Sequence, residues 1–312
     1  MSAVLPAPAA ARRAPAASPA RQRRHSLTHP PRTGLLLVAP ALAMIAVFVL
    51  APLLFALGIS FTNWPLIGQV EFAGLTNYLG IGDLGFLRAV GYTLLYTAIV
   101  TLPILVLGYA LAVLVRSRRR GATLLRTVFF LPFVVGLTTL SFITLLEAQP
   151  GSGAINLVLA ALGLTDGSTA WLVDGTLATV LISGMVIWGV AGLTMLLLMS
   201  GMQAIPREVY ESADLDGATW WQQERRITIP MLRRTIAMSL VISVIGSLLA
   251  FTQFYILTSG GPGSATTTVV LHIYKRAFVQ LQLGAATALS IVLVVVVALV
   301  TAVQMWLLRG EE

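Results

Sequence analysis

The 312-residue chain has no cysteine and a single lysine, Lys275. Without thiols it can form no disulfide framework, thiolate zinc site, iron–sulfur cluster or thiol nucleophile. Of its three histidines, His25 and His29 lie in the N-terminal tail and His272 on an expected outer loop, so no histidine cluster is expected to bind a metal. Charge is scarce too. Asp, Glu, Lys and Arg make up 10% of the residues and hydrophobic ones 57%, where a soluble domain carries about 25% charged residues. Such a chain cannot cover itself with a wetted surface, so it belongs in a bilayer. That excludes a cytosolic enzyme and a free nucleic-acid-binding protein.

What is present is long uncharged runs. They predict membrane helices near 34–60, 89–115, 125–147, 176–201, 235–258 and 284–308, each long enough for the ~20 apolar residues that a crossing needs. Six spans put both termini on one side, and the basic residues sort accordingly. Seventeen arginines fall in the N-terminal tail, the 116–126 loop, the 202–234 loop and at Arg309, against Arg88, Lys275 and Arg276 on the other side. By the positive-inside rule the seventeen are cytoplasmic, so the net charge of +8 is a topology signal rather than a nucleic-acid one. Residues 1–32, rich in Ala, Pro and Arg, are expected to be a disordered basic cytoplasmic tail, and 33–312 a transmembrane domain. The apolar run after the tail is too long for a signal-peptide core.

Of Asp, Glu, Lys, Arg and His, the expected spans hold only Arg126 and Glu147, at the two ends of the third. Ion- or proton-coupled transport usually needs such a group buried in the membrane, so secondary active transport is disfavoured; Glu147 sits where a loop anchor would. Ser239, Ser243 and Ser247 recur every four residues and share one helical face. They suit close helix packing or a hydroxyl-lined path for a neutral polyhydroxyl solute. A P-loop needs a lysine after glycine, and Lys275 follows Tyr274. Any ATPase must therefore be another chain, docking on the cytoplasmic side.

The loop between spans four and five is the candidate dock. Pro206 opens a helix with Glu208 and Glu211 in its first turns, a favourable N-terminal arrangement. Tyr210, Ala213 and Leu215 are expected to give it an apolar patch, and Gly217 fits as its left-handed stop. A second short helix over 218–226 is expected next, with Pro230 opening the fifth span.

Glu211-Ser212-Ala213, then Gly217, Ile227, Ile229 and Pro230 resemble the EAA loop of ABC-importer permeases in every spacing. Ser replaces the second position and Ile replaces Leu. The stretches 72–78, 153–156 with Trp171-Leu172, 257–262, and Phe278 with Gly284-Ala285 resemble further parts of the MalF-type carbohydrate permeases. The likeness covers nearly all of 34–308.

The resemblance implies an all-α polytopic membrane protein of six transmembrane helices with the type I ABC-importer permease fold, in the bacterial inner membrane. It implies a non-catalytic subunit that pairs with a second permease of MalG type, two ATPase subunits holding ATP and Mg, and an extracytoplasmic solute-binding protein. Tyr210, Glu211, Ala213, Leu215 and Gly217 would couple to the ATPase, and Arg225 and Arg226 could pair with its acids. The solute path would run past Trp188, Gly189, Leu193, Gly246, Ser247 and Ala250. Here small residues stand where the maltose protein has polar amides. The cargo implied is a sugar or oligosaccharide; glycerol-3-phosphate and a polyol are alternatives, although no arginine for a phosphate lies in the interior of these spans.

Overall fold

The computed structural model describes residues 31–65, 68–116 and 121–309. Residues 1–30 of the expected tail, with Arg118, Arg119 and Arg120, lie outside them. The chain divides into two compact units, 1–52 and 53–312. The first contains helix Pro31–Ile45 followed by a π-turn, Ala46–Leu50; apart from the span that runs from it into the second, the rest of this description concerns the second.

Five helical segments are long and apolar enough to cross a membrane: α1 Leu36–Ser60, α2 Leu84–Val115, then Gly175–Gln203, Arg233–Leu257 and Leu283–Leu307. They match five of the six expected spans to within a few residues.

The third does not form one straight helix. It is a pair, α3 Ala122–Val135 and α4 Leu137–Glu147, bent by 94°. At 1.5 Å per residue these are only about 21 and 16 Å long, so neither crosses the ~30 Å core alone. Gly136 makes the bend, with φ +83° and ψ 149°. A side chain is strongly disfavoured there. Pro132 lacks an N–H of its own, and its carbonyl accepts a 3.3 Å bond from Gly136 N.

Helix α4 runs to the side away from the arginine-rich loops. There Glu147 Oε2 accepts from Ala154 N at 2.9 Å, at the start of α5, Ala154–Ala161. Glu147 thus anchors a loop. Fully buried Asn156 gathers that loop. Its Nδ2 donates to the carbonyls of Ala148, Gln149 and Thr169, and its Oδ1 accepts from Trp171 Nε1 at 3.0 Å. Asn77 does the same after α1, donating to the carbonyls of Ser60 and Thr62. A two-residue ladder pairs β1, Thr62–Asn63, with β2, Glu71–Phe72.

Helix α6, Gly175–Gln203, starts with Asp174 accepting from Thr176 N and Leu177 N at 2.8 and 2.9 Å. It packs along α2 and against α3. Two apolar clusters stack along the α2–α6 seam. One joins Tyr96, Val100 and Ile104 to Ile182, Met185, Leu140 and Phe254. The other, nearer the arginine-rich side, joins Leu111 and Val115 to Met195, Leu198 and Leu232.

The α3–α6 contact is closest at Gly192, where an added Cβ would overlap the carbonyl oxygen of Phe129. Lipid gives helices little hydrophobic reason to associate, so such close backbone approach supplies much of the attraction. Gly192→Ala should therefore cost about 1–3 kcal/mol by overpacking. Gly184→Ala, on the same helix but with nothing within 4 Å of the added carbon, should be neutral. Thermal unfolding of the two variants in detergent tests the contrast; equal melting temperatures would refute it.

Candidate functional site

Between α6 and the fifth span lies a helix pair outside the long apolar segments. Helix α7, Arg207–Leu215, follows Pro206 and ends in a Schellman turn: Ala218 N donates to Ala213 O at 2.9 Å and Gly217 N to Asp214 O at 3.1 Å. Gly217 has φ +73° with open space around it, so backbone conformation, not crowding, favours glycine there. Thr219 and Gln222 form a reciprocal capping box, with bonds of 2.8 and 3.4 Å.

The helix they open, α8, does not stop at 226. It runs through Trp220–Gln223, a π-turn Glu224–Thr228 and Ile229–Met231, and the next helix, α9, begins at Arg233. Pro230 therefore lies inside α8 rather than at the head of the fifth span. Proline removes one backbone donor and crowds the preceding turn; the widened turn just before it accommodates that demand. Gln223 Nε2 reaches back to Asp214 Oδ1 at 2.5 Å and ties α8 to α7.

The pair is pinned by Glu224, 1% exposed. Arg116 Nη2 lies 2.6 Å from its Oε1, and Tyr109 Oη donates to its Oε2 at 2.5 Å. Tyr109 belongs to the inner end of α2, and Arg116 is the residue after it. The guanidinium also sits 5.7 Å over the ring of Tyr210, whose hydroxyl is 3.0 Å from the Oγ1 of fully buried Thr228. Arg126 donates twice to Val115 O, capping α2 from the start of α3. Arg116 and Arg126, legible in the sequence only as topology charges, are thus specific struts. Tyr109, Glu224 and Thr228 were not singled out at all; the available signals were a lone tyrosine in an apolar stretch and an acid between two helices.

The expected docking patch divides. Ala213 is buried and Tyr210 half-buried within this chain, so neither forms an outward patch with Leu215, which is 91% exposed. Tyr210 and Ala213 are three positions apart and so share one face; Leu215 lies about 200° round the helix from Ala213. Glu211 is exposed and pairs with Arg207 at 2.9 Å. Trp220, Trp221, Arg225 and Arg226 are exposed as well.

The six residues expected along a solute path also divide. Trp188 and Gly246 are exposed and Leu193 half-buried. Gly189 instead packs against α4, its added Cβ lying 3.0 Å from Leu140 Cδ1. Ser247 is buried and donates to Ser243 O at 2.8 Å. Ala250 is buried at the break between α9, Arg233–Leu248, and α10, Thr252–Leu257, and its carbonyl accepts from Thr268 Oγ1 at 2.8 Å. These three serve packing and backbone satisfaction, not a free lining. The serines at 239, 243 and 247 are all buried, as the packing reading of their period requires.

Residues 88–310 match the family of binding-protein-dependent transport system inner membrane components, and the chain belongs to that family. It is a multi-pass membrane transport permease. Similar chains include the multiple sugar-binding transport system permease MsmF of Streptococcus mutans, 31% identical over 88% of this chain and 94% of that one. The lactose transport permease LacF of Rhizobium radiobacter is 33% identical over 89% and 95%. In fold the chain is similar to a crystal structure of a bacterial ABC transporter involved in importing the acidic polysaccharide alginate, with TM-score 0.79, 23% identity and coverage of 90% and 97%.

Removing one partner of a buried ion pair leaves the other uncompensated, at about 3–5 kcal/mol. Arg116 is a quarter exposed, which places Glu224→Gln near the lower end, about 3 kcal/mol. Arg116→Met combined with Glu224→Gln should recover part of that loss. Denaturation of the single and double variants gives the coupling energy, and strict additivity would show that the pair is not coupled.

Proposed function

We propose that this chain is the transmembrane permease subunit of an ATP-driven importer for a sugar or oligosaccharide delivered by an extracytoplasmic binding protein. Two things support the cargo: the sugar-transport descriptions of relatives that align along nearly their whole length, and spans that carry hydroxyls and aromatics rather than charge. A second permease of MalG type completes the pore. ATP and Mg bind on two separate ATPase subunits, and this chain catalyses nothing. The arginine-rich side is cytoplasmic, with both termini there.

The observation that carries this reading is the pinned helix pair. A docking element must transmit force, so it needs a rigid attachment and a free contact face. Glu224 supplies the first, and exposed Leu215 and Glu211 offer the second. Tyr210 and Ala213 fix the helix from behind, and Gly217 sets its end. When ATP closes the ATPase pair, the strut moves with the inner ends of α2 and α6. The pathway then shifts between two accessible states through differential binding. Trp188 and Gly246 are exposed and Leu193 is half-buried in this chain, and with the second permease they line that pathway.

Proteoliposomes holding the whole complex test the proposal. Uptake of labelled oligosaccharide should require ATP and the binding protein. Leu215→Asp should reduce uptake and stimulated ATP hydrolysis about tenfold, the loss expected of an interface anchor, without lowering the melting temperature. Uptake that needs no ATP and follows an ion gradient would overturn it.

A further inference from the structure

On the side away from the arginine-rich loops, a cavity of about 590 Å³ opens between the start of α2 and the segment before the last span. Its lining includes Arg88, Lys275, His272, Thr267, Ser264 and Gln280. Helix α11, Val269–Tyr274, and the π-turn Lys275–Val279 carry the histidine and the lysine.

Three features set this cavity apart. The first is where its charge lies. Only Arg88, Lys275 and Arg276 fall on this side of the predicted topology, and basic residues are scarce on a translocated side. Two of the three nevertheless line one cavity.

The second is that these two charges are not used internally. Arg276 lies 3.7 Å from Asp83. Arg88 and Lys275 have no acidic partner among the described residues, and no carboxylate lines the cavity. The lysine ammonium is held over the Gly260 turn, where an added Cβ would lie 3.0 Å from Nζ.

The third is His272. Burial and the neighbouring Arg276 hold it below its ordinary value, so it is neutral at pH 7. Its Nε2 is buried without a hydrogen-bond partner among the described residues.

We infer that this cavity binds a carboxylate presented from the extracytoplasmic side, gripped by Arg88 and Lys275 and oriented by the neighbouring hydroxyls. A cavity of this size accommodates a sugar ring, and a guanidinium with an ammonium suits a carboxylate. The carboxylate belongs either to a uronic-acid unit of the solute or to an acidic side chain of the binding protein. The placement outside the cell rests on the importer reading; anion binding itself does not.

The test uses the complete complex in lipid nanodiscs. One arm measures galacturonate against galactose, the same ring without the carboxylate, by saturation-transfer NMR. The other measures association of the solute-binding protein at low and high salt. Arg88→Gln with Lys275→Gln should abolish the galacturonate signal, which would assign the carboxylate to the solute. Alternatively it should slow binding-protein association at least about tenfold and flatten its salt dependence, which would assign it to the partner. Arg88→Lys with Lys275→Arg should retain most of either signal, which separates charge from folding. The inference is overturned if the neutral pair changes neither readout, or if the wild type binds neither probe. ATP-driven uptake decides the importer reading independently.

Discussion

A buried carboxylate fixes the arginine-rich end of this protein. Taking Glu224 out of water costs several kcal/mol unless its charge is matched. Arg116 and Tyr109 match it from one edge of α2. The same arginine stacks on Tyr210 of α7, whose hydroxyl meets Thr228 one turn beyond Glu224. Five residues, from Tyr109 to Thr228, thereby hold two short helices that have little core of their own. Sliding α8 along α2 would break the ion pair and the tyrosine bond together, so the helix pair and the end of α2 form one mechanical piece.

The spans meet a different constraint. Within lipid every backbone group must find a partner in the protein. The break in the fifth span exposes Ala250 O, and Thr268 reaches across to satisfy it; Thr93 accepts from Val269 N next to it. Gln253 donates to Tyr96 Oη beside the same break. Where helices approach most closely, glycine and serine replace bulk, as at Gly192 and along Ser239, Ser243 and Ser247. The non-helical joints are therefore held in place rather than loose.

Much of this was legible in the sequence because hydropathy and charge act locally. Five spans could be bounded from uncharged runs alone, and the sequence of the loop between the fourth and fifth marked Gly217 as a helix stop, which its φ of +73° matches. The bend at Gly136 was not legible: the residues around it are as apolar as a straight span, and only the backbone angle reveals it. Pro230 read as a helix start because proline favours first turns, yet a π-turn lets it sit inside α8. The serine period was visible, but its use depends on which neighbour it faces. Glu224 was missed because its burial comes from a tyrosine 115 positions away, and no local pattern records that distance.

A spin-label distance within this chain tests the rigid attachment most directly. Asp216 at the end of α7 and Leu95 on α2 are both exposed and neither is a proposed contact residue, so labels there leave the core and the docking face intact. In the assembled complex, pulsed dipolar spectroscopy with and without trapped nucleotide should give one narrow distance that does not change. The Glu224→Gln variant should broaden it. A distance that shifts with nucleotide in the unaltered chain would contradict the account, because the helix pair would then move on its own rather than with the spans.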